Sequence, residues 1–236
     1  MTNQYHPDNP IQPFDLLQAS WLKQSSLVGH PIEQVRHYAD ALIIYNKVIE
    51  IAPDNVLAHL LQGRALDNLE RADEAKFAYT HALNLARHVL RQQPDNEHAL
   101  VYQADALWML DQENEAMASY NKAIDLSSTY AEAFINRGWR FFADNRLEDA
   151  LRDYEQALRL QPDNADTLYR EGCVFWDLSR YNDALEAAEQ ALLLDPTSPR
   201  AYGLKITTLS YMGREEEAKL VDAQYQSLLK QMSTQY

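Results

Sequence analysis

The feature that most constrains this chain is a period of 34 residues. Between Ala131 and Asn164 it reads AEAFINRGWRFFADNRLEDALRDYEQALRLQPDN, and the landmarks of that stretch return in phase. Gly138 recurs as Gly172 and, as alanine, at Ala104. Ala150 recurs as Ala116, Ala184 and Ala218, Tyr154 as Tyr120, and Ala157 as Ala123 and Ala191. Pro162-Asp163-Asn164 closes the unit, and Pro53-Asp54-Asn55 and Pro94-Asp95-Asn96 close two others. Units of this size cannot bury an apolar face alone and must stack on their neighbours. The pattern predicts a solenoid.

Spacing inside the unit says what is stacked. Phe134, Gly138 and Phe141 fall at i, i+4 and i+7, one stripe of a helix. Asp144-Asn145-Arg146 makes a turn, because Asp and Asn tolerate turn backbone and compete with helix. Ala150, Tyr154, Ala157 and Leu158 form the stripe of a second helix. The small residues Gly138 and Ala150 allow the two helices to approach closely. Pro162 ends the second one, since it lacks an N–H and disfavours helix in the residue before it.

The glycine, aromatic, alanine, tyrosine, alanine and proline positions together resemble the tetratricopeptide repeat family, over roughly Leu22 to the C-terminus. That resemblance implies an all-α fold, a right-handed superhelical solenoid of antiparallel helix pairs. It also implies a concave groove lined by the first helices and a role in holding other proteins.

In order along the chain, residues 1–13 carry Pro7, Pro10 and Pro13 among polar neighbours and read as a mobile arm. Residues 14–55 read as a degenerate capping pair: helix from Phe14 to Val28, a break at Gly29-His30-Pro31, then helix from Ile32 to Ile51 with Ala41 and Tyr45 in register. The unit 56–96 has Gly63, Ala75, Tyr79 and Ala82 in place, but Pro53 to Pro94 is 41 residues, seven beyond the period. Seven residues are nearly two helical turns, so the insertion keeps the helix face and lengthens the helix by about 10 Å. Units 97–130, 131–164 and 165–198 follow, the first with Ser127-Ser128-Thr129 where its proline belongs. Residues 199–231 read as a degenerate capping pair with Asp222 in place of an aromatic and Lys219, Asp222, Gln226 and Lys230 on a polar face. Residues 232–236 form a tail.

Charge and composition narrow the partners. A net charge of −14 argues against nucleic acid, whose phosphates it would repel, and against anionic membrane surfaces. It favours a basic peptide or protein. The lone Cys173 excludes an intramolecular disulfide and a thiolate-rich metal site. The first residues show neither the basic start nor the apolar run of a secretory signal, and no stretch of about 18 apolar residues would span a bilayer. The expected location is cytoplasmic.

No catalytic constellation is legible. The chain lacks a Gly-rich phosphate loop, GKS or GKT, and HExxH, so the expectation is a non-enzyme with no cofactor and no metal. His30 and His37, and likewise His81 and His88, lie seven apart, but two imidazoles alone make a poor metal site and read as solvated. Cys173 has no histidine or lysine beside it in its own helix and reads as a small core or groove-wall residue.

The candidate site is a second stripe beside the packing stripe of the first helices. In successive units it comprises His98, Val101, Asp105 and Trp108; Glu132, Ile135, Trp139 and Phe142; and Asp166, Tyr169, Cys173 and Trp176. Leu60 and Arg64 hold the corresponding places on one side, Arg200 and Gly203 on the other. The candidate groove residues are therefore Arg64, Val101, Asp105, Trp108, Ile135, Trp139, Phe142, Tyr169, Cys173 and Trp176. Aromatic rings at the centre of a concave surface with arginine at its rim match the make-up of binding hot spots. The bland alternative is that these rings pack between repeats, most of all Trp176. Two further readings remain open: a groove filled by the chain's own Pro-rich arm, and self-assembly through capping or extended helices. A carboxylate-gripping groove, the family's familiar scheme, is disfavoured by Asp105 and Asp166, and an asparagine ladder by the isolation of Asn136.

Overall fold

The computed structural model describes residues 31–233, which form eleven α-helices and no strand. α1 (Pro31–Ile51) stands first, and five antiparallel pairs follow: α2 (Val56–Asn68) with α3 (Ala72–Gln92), α4 (Glu97–Met109) with α5 (Glu113–Leu126), α6 (Ala131–Ala143) with α7 (Leu147–Leu160), α8 (Ala165–Asp177) with α9 (Tyr181–Leu194), and α10 (Pro199–Tyr211) with α11 (Glu215–Ser233). Each helix packs on its neighbours in sequence, and the first helices of successive pairs also touch one another, forming an inner layer. The expected arm and the expected helix from Phe14 to Val28 lie outside the described residues.

Small residues set the distance between paired helices. A Cβ on Gly63 would meet the Tyr79 ring at 2.4 Å, and one on Gly138 would meet Tyr154 at 3.0 Å and Asp153 at 3.2 Å. The aromatic ring of the second helix thus fills the space that the glycine of the first leaves empty. Tyr79 and Tyr154 are fully buried by this device, and Tyr45 and Tyr120 are equally buried. At the last pair, Asp222 is exposed, and Tyr225 supplies the ring instead, stacked on Tyr202 with centroids 4.8 Å apart.

The turns repeat as faithfully as the core. Glu70, Asp111, Asn145, Ser179 and Gly213 all have positive φ between 58° and 74°. The following N–H reaches back to the first helix, as from Arg71 to the Leu66 carbonyl at 2.9 Å and from Arg146 to that of Phe141 at 2.8 Å. That is a Schellman closure, and it satisfies carbonyls the helix end would otherwise orphan. The Asn of each Pro-Asp-Asn sequence caps the next helix: Asn55, Asn96 and Asn164 each accept from a backbone N–H at 2.9 Å. Tyr130, which follows the serine-rich turn, makes no such cap.

α3 has 21 residues where α5, α7 and α9 have 14. Its added turns do not stand free: Leu90 packs on the Leu100–Tyr120 cluster, and Arg87 reaches Glu115 at 3.4 Å.

Candidate partner-binding groove

The inner helices enclose a groove of about 660 Å³ that runs from Tyr38 of α1 to Leu204 of α10. Six of the ten residues singled out by the second stripe line it: Arg64, Trp139, Phe142, Tyr169, Cys173 and Trp176. Trp139 is 41% exposed and stacks on Phe142, with centroids 5.6 Å apart and planes at 30°. Two large rings thus offer one continuous apolar surface, which a core residue would not. Trp176 is more enclosed: its indole packs edge-on against Tyr181 and Tyr211, at 6.1 and 5.9 Å.

The other four lie elsewhere. Val101, at 1% exposure, and Asp105, at 4%, are interior residues. Trp108 and Ile135 are half-buried and do not line the groove. At Asp105 and Trp108 the cause is the next repeat, whose long side chains fold back over residues 97–130. Arg140 Nη2 lies 3.1 Å from Asp105 Oδ1, and Asn136 Nδ2 donates to Oδ2 at 3.1 Å. Tyr120 donates its hydroxyl to Oδ1, and Arg64 stands 3.7 Å from Oδ2. Asp105 therefore ties three repeats together. Burial works against the charge on Arg140, but Tyr120 and Asp105 outweigh it and hold the guanidinium pKa above its ordinary value.

Arg140 belongs to a series that the 34-residue frame conceals. Its guanidinium lies over the Trp108 ring at 5.3 Å, Arg170 over Trp139 at 5.0 Å, and Arg200 over Tyr169 at 5.2 Å. Each arginine sits 31 or 32 residues after its ring, two or three residues short of the period. The contact runs diagonally from each inner helix to the next. Cations at this distance are attracted by the ring quadrupole. Asp166 neutralises two of them, accepting from Arg170 at 2.6 Å and pairing with Arg200 at 2.8 Å. Reading the sequence at a spacing of 31 would have shown Arg170 and Arg200 behind Trp139 and Tyr169. Tyr154, a packing residue in the sequence, also lines the groove.

Charge in the groove differs from charge in the whole chain. Its lining holds four arginines, Arg64, Arg140, Arg170 and Arg200, against Asp67 and Asp177, with no lysine or glutamate. Asp105 and Asp166, acidic in the sequence, are consumed by ion pairs. Burial pushes the Cys173 thiol pKa up. His81 is exposed and meets the rings of His59 and Phe77, and His88 faces Arg91 and Gln92. Among the described residues no helix is long and apolar enough to cross a membrane.

Comparison with known proteins gives concordant results. Two family models, both described as tetratricopeptide repeat, match the chain, one over residues 57–88 and the other over residues 78–131 and 135–199. Protein O-mannosyl-transferase Tmtc3 of Drosophila melanogaster is 36% identical over 55 residues, which make up 23% of this chain and 6% of that protein. Among solved structures, MamA protein superposes with a TM-score of 0.60 at 21% identity, covering 77% of this chain and 96% of that one. A thermophilic TPR protein of Thermus thermophilus, TTC0263, gives 0.58 at 15% identity, covering 84% and 98%. At such identities these likenesses concern the fold.

Proposed function

Since the chain belongs to the tetratricopeptide repeat family, whose members are protein–protein interaction scaffolds, we propose that it is a non-enzymatic adaptor that takes an apolar or aromatic segment of a partner protein in its concave groove. One observation carries this reading: Trp139 remains 41% exposed while stacked on Phe142, inside a concavity of about 660 Å³. A large ring held rigidly in a concave surface loses little conformational freedom on binding and excludes much water, the combination typical of binding hot spots. The net charge of −14 favours a basic segment, while the four arginines of the groove are themselves paired with Asp105 and Asp166.

The test replaces Trp139 and Phe142 by alanine in the full chain. Helical circular dichroism should persist while capture of the partner from a native lysate falls. Undiminished capture by a folded double variant would sink the reading, and melting of the fold would return both rings to the core.

Self-association is the second reading. The terminal helix α11 leaves Leu220 at 61%, Leu229 at 40% and Met232 at 43% exposure, more apolar surface than a polar cap requires. Light scattering that stays monomeric across a wide concentration range would dispose of it.

A further inference from the structure

Two buried donors in the groove lack an acceptor. Tyr154 is 0% exposed, and its hydroxyl proton has no acceptor; the Nε1 of Trp176, equally enclosed, has none either. Both side chains line the groove. Buried polar groups are nearly always paired, and an orphan calls for an explanation.

The sequence around Tyr154 supplies one. Tyr79 and Tyr120 hold the same place in their repeats, and each donates to a carboxylate of its own unit. Tyr79 reaches Asp67 at 2.6 Å, and Tyr120 reaches Asp105. Asp67 stands 12 residues before Tyr79, and Asp105 stands 15 before Tyr120; at the same offsets before Tyr154 stand Phe142 and Trp139. The unit 131–164 has exchanged its internal acceptor for aromatic floor. Arg170 lies close enough to Tyr154 to influence its hydroxyl, but a guanidinium only donates. Around the hydroxyl there is therefore a donor and no free acceptor, because Asp166 is taken up by Arg170 and Arg200. Beside them, a recess of about 260 Å³ opens between Tyr169, Cys173, Trp176 and Leu204.

We propose that the missing acceptor comes from the partner: an Asp or Glu side chain accepts from the Tyr154 hydroxyl beside Arg170, while an apolar neighbour in the same segment enters the recess. A second oxygen of the segment takes the Trp176 Nε1–H. The proposal rests on the reading of the groove as the partner site and adds the chemistry recognised there. Arg170, although paired with Asp166, is the cation of the lining that stands beside the Tyr154 hydroxyl and can share its guanidinium with an incoming carboxylate. The acidic group is a side chain, because the donors lie along the floor of an open groove and not at a closed end.

The test pans a random dodecamer library, displayed at the N-terminus of a phage coat protein so that no free C-terminal carboxylate exists, against the full chain. Selected peptides should carry Asp or Glu beside an apolar or aromatic residue. A selected peptide, capped at both ends, should bind roughly tenfold or more tightly than its Asn or Gln counterpart, the value of a hydrogen bond to a charged group. Tyr154→Phe removes a hydroxyl that donates to no group of the chain, so the variant should keep its thermal midpoint and lose most of that discrimination. Apolar peptides selected without acidic residues would overturn the proposal and leave the groove reading standing. Equal discrimination by Tyr154→Phe would overturn it too, showing the hydroxyl to be served by water. Peptides that bind the Trp139/Phe142 double variant as well as the native chain, or no enrichment at all, would overturn both. The acid-versus-amide comparison on the native chain decides the matter even if the variant misfolds.

Discussion

Replacing Asp105 by alanine tests whether the repeats are tied by buried charge. Asp105 is 4% exposed and Arg140 5%. The substitution leaves that guanidinium without its carboxylate and orphans the Tyr120 hydroxyl, which is 0% exposed. Removing one partner of a buried ion pair costs about 3–5 kcal/mol, and an orphaned hydroxyl about 1–3 kcal/mol. The two losses share one site and do not add fully, so the expected loss is about 4 kcal/mol. For a chain of this length that is a fall of roughly 8–16 °C in thermal midpoint. Urea unfolding followed by far-UV circular dichroism measures it. Because a solenoid is held by nearest-neighbour contacts, the variant should also unfold over a broader range as the units on either side of Asp105 uncouple. The companion Asp105→Leu with Arg140→Met removes both charges and should recover most of the loss. A cost below about 1 kcal/mol for Asp105→Ala, or a double variant no more stable than the single, would refute the argument, because it would mean that water solvates the pair.

Two glycines should respond oppositely to the same change. Gly63→Ala drives a methyl into the Tyr79 ring and should destabilise by about 1–3 kcal/mol, while Gly203→Ala meets nothing within 4 Å and should stabilise α10 by about 0.5–1 kcal/mol; thermal melts that rank them otherwise contradict the packing. Glu70 holds φ 59° in an exposed turn, so Glu70→Gly should gain up to about 1 kcal/mol in denaturant stability, with a loss counting against strain there. Burial, with Glu155 nearby, raises the Glu171 pKa from 4.5 to about 7. A raised folded-state value means that the stability from protonation is full below about 4.5 and is lost as pH rises through about 7. Glu171→Gln should therefore be more stable than the native chain at pH above about 7, by less than about 3 kcal/mol after screening, with the gap closing in acid. Parallel pH–stability curves for the two proteins would exclude that burial.

Much of the architecture is legible in the residue order, because a 34-residue period leaves a helix pair few ways to stack. Gly138 opposite Tyr154, the turn at Asn145 and the helix end before Pro162 are local consequences of chain chemistry, and the structure has them where the spacing puts them. The rings of Trp139, Phe142, Tyr169 and Trp176 could be assigned to the groove for a similar reason: a stripe beside the packing stripe has few other places to go. Val101 and Asp105 occupy the same stripe yet lie in the interior: Asn136 and Arg140 of the following repeat fold over Asp105, and Val101 packs with Leu100, Ala104 and Ala133.

Residue order by itself determined what each helix pair is and which face of a helix each side chain occupies, since both follow from backbone chemistry within a few turns. Only the tertiary structure decided which charges meet. Arg140 finds Asp105, Arg170 and Arg200 share Asp166, and Tyr154 finds no acceptor, because these contacts depend on how far one inner helix is displaced along the next. That displacement is set by the packing of whole repeats.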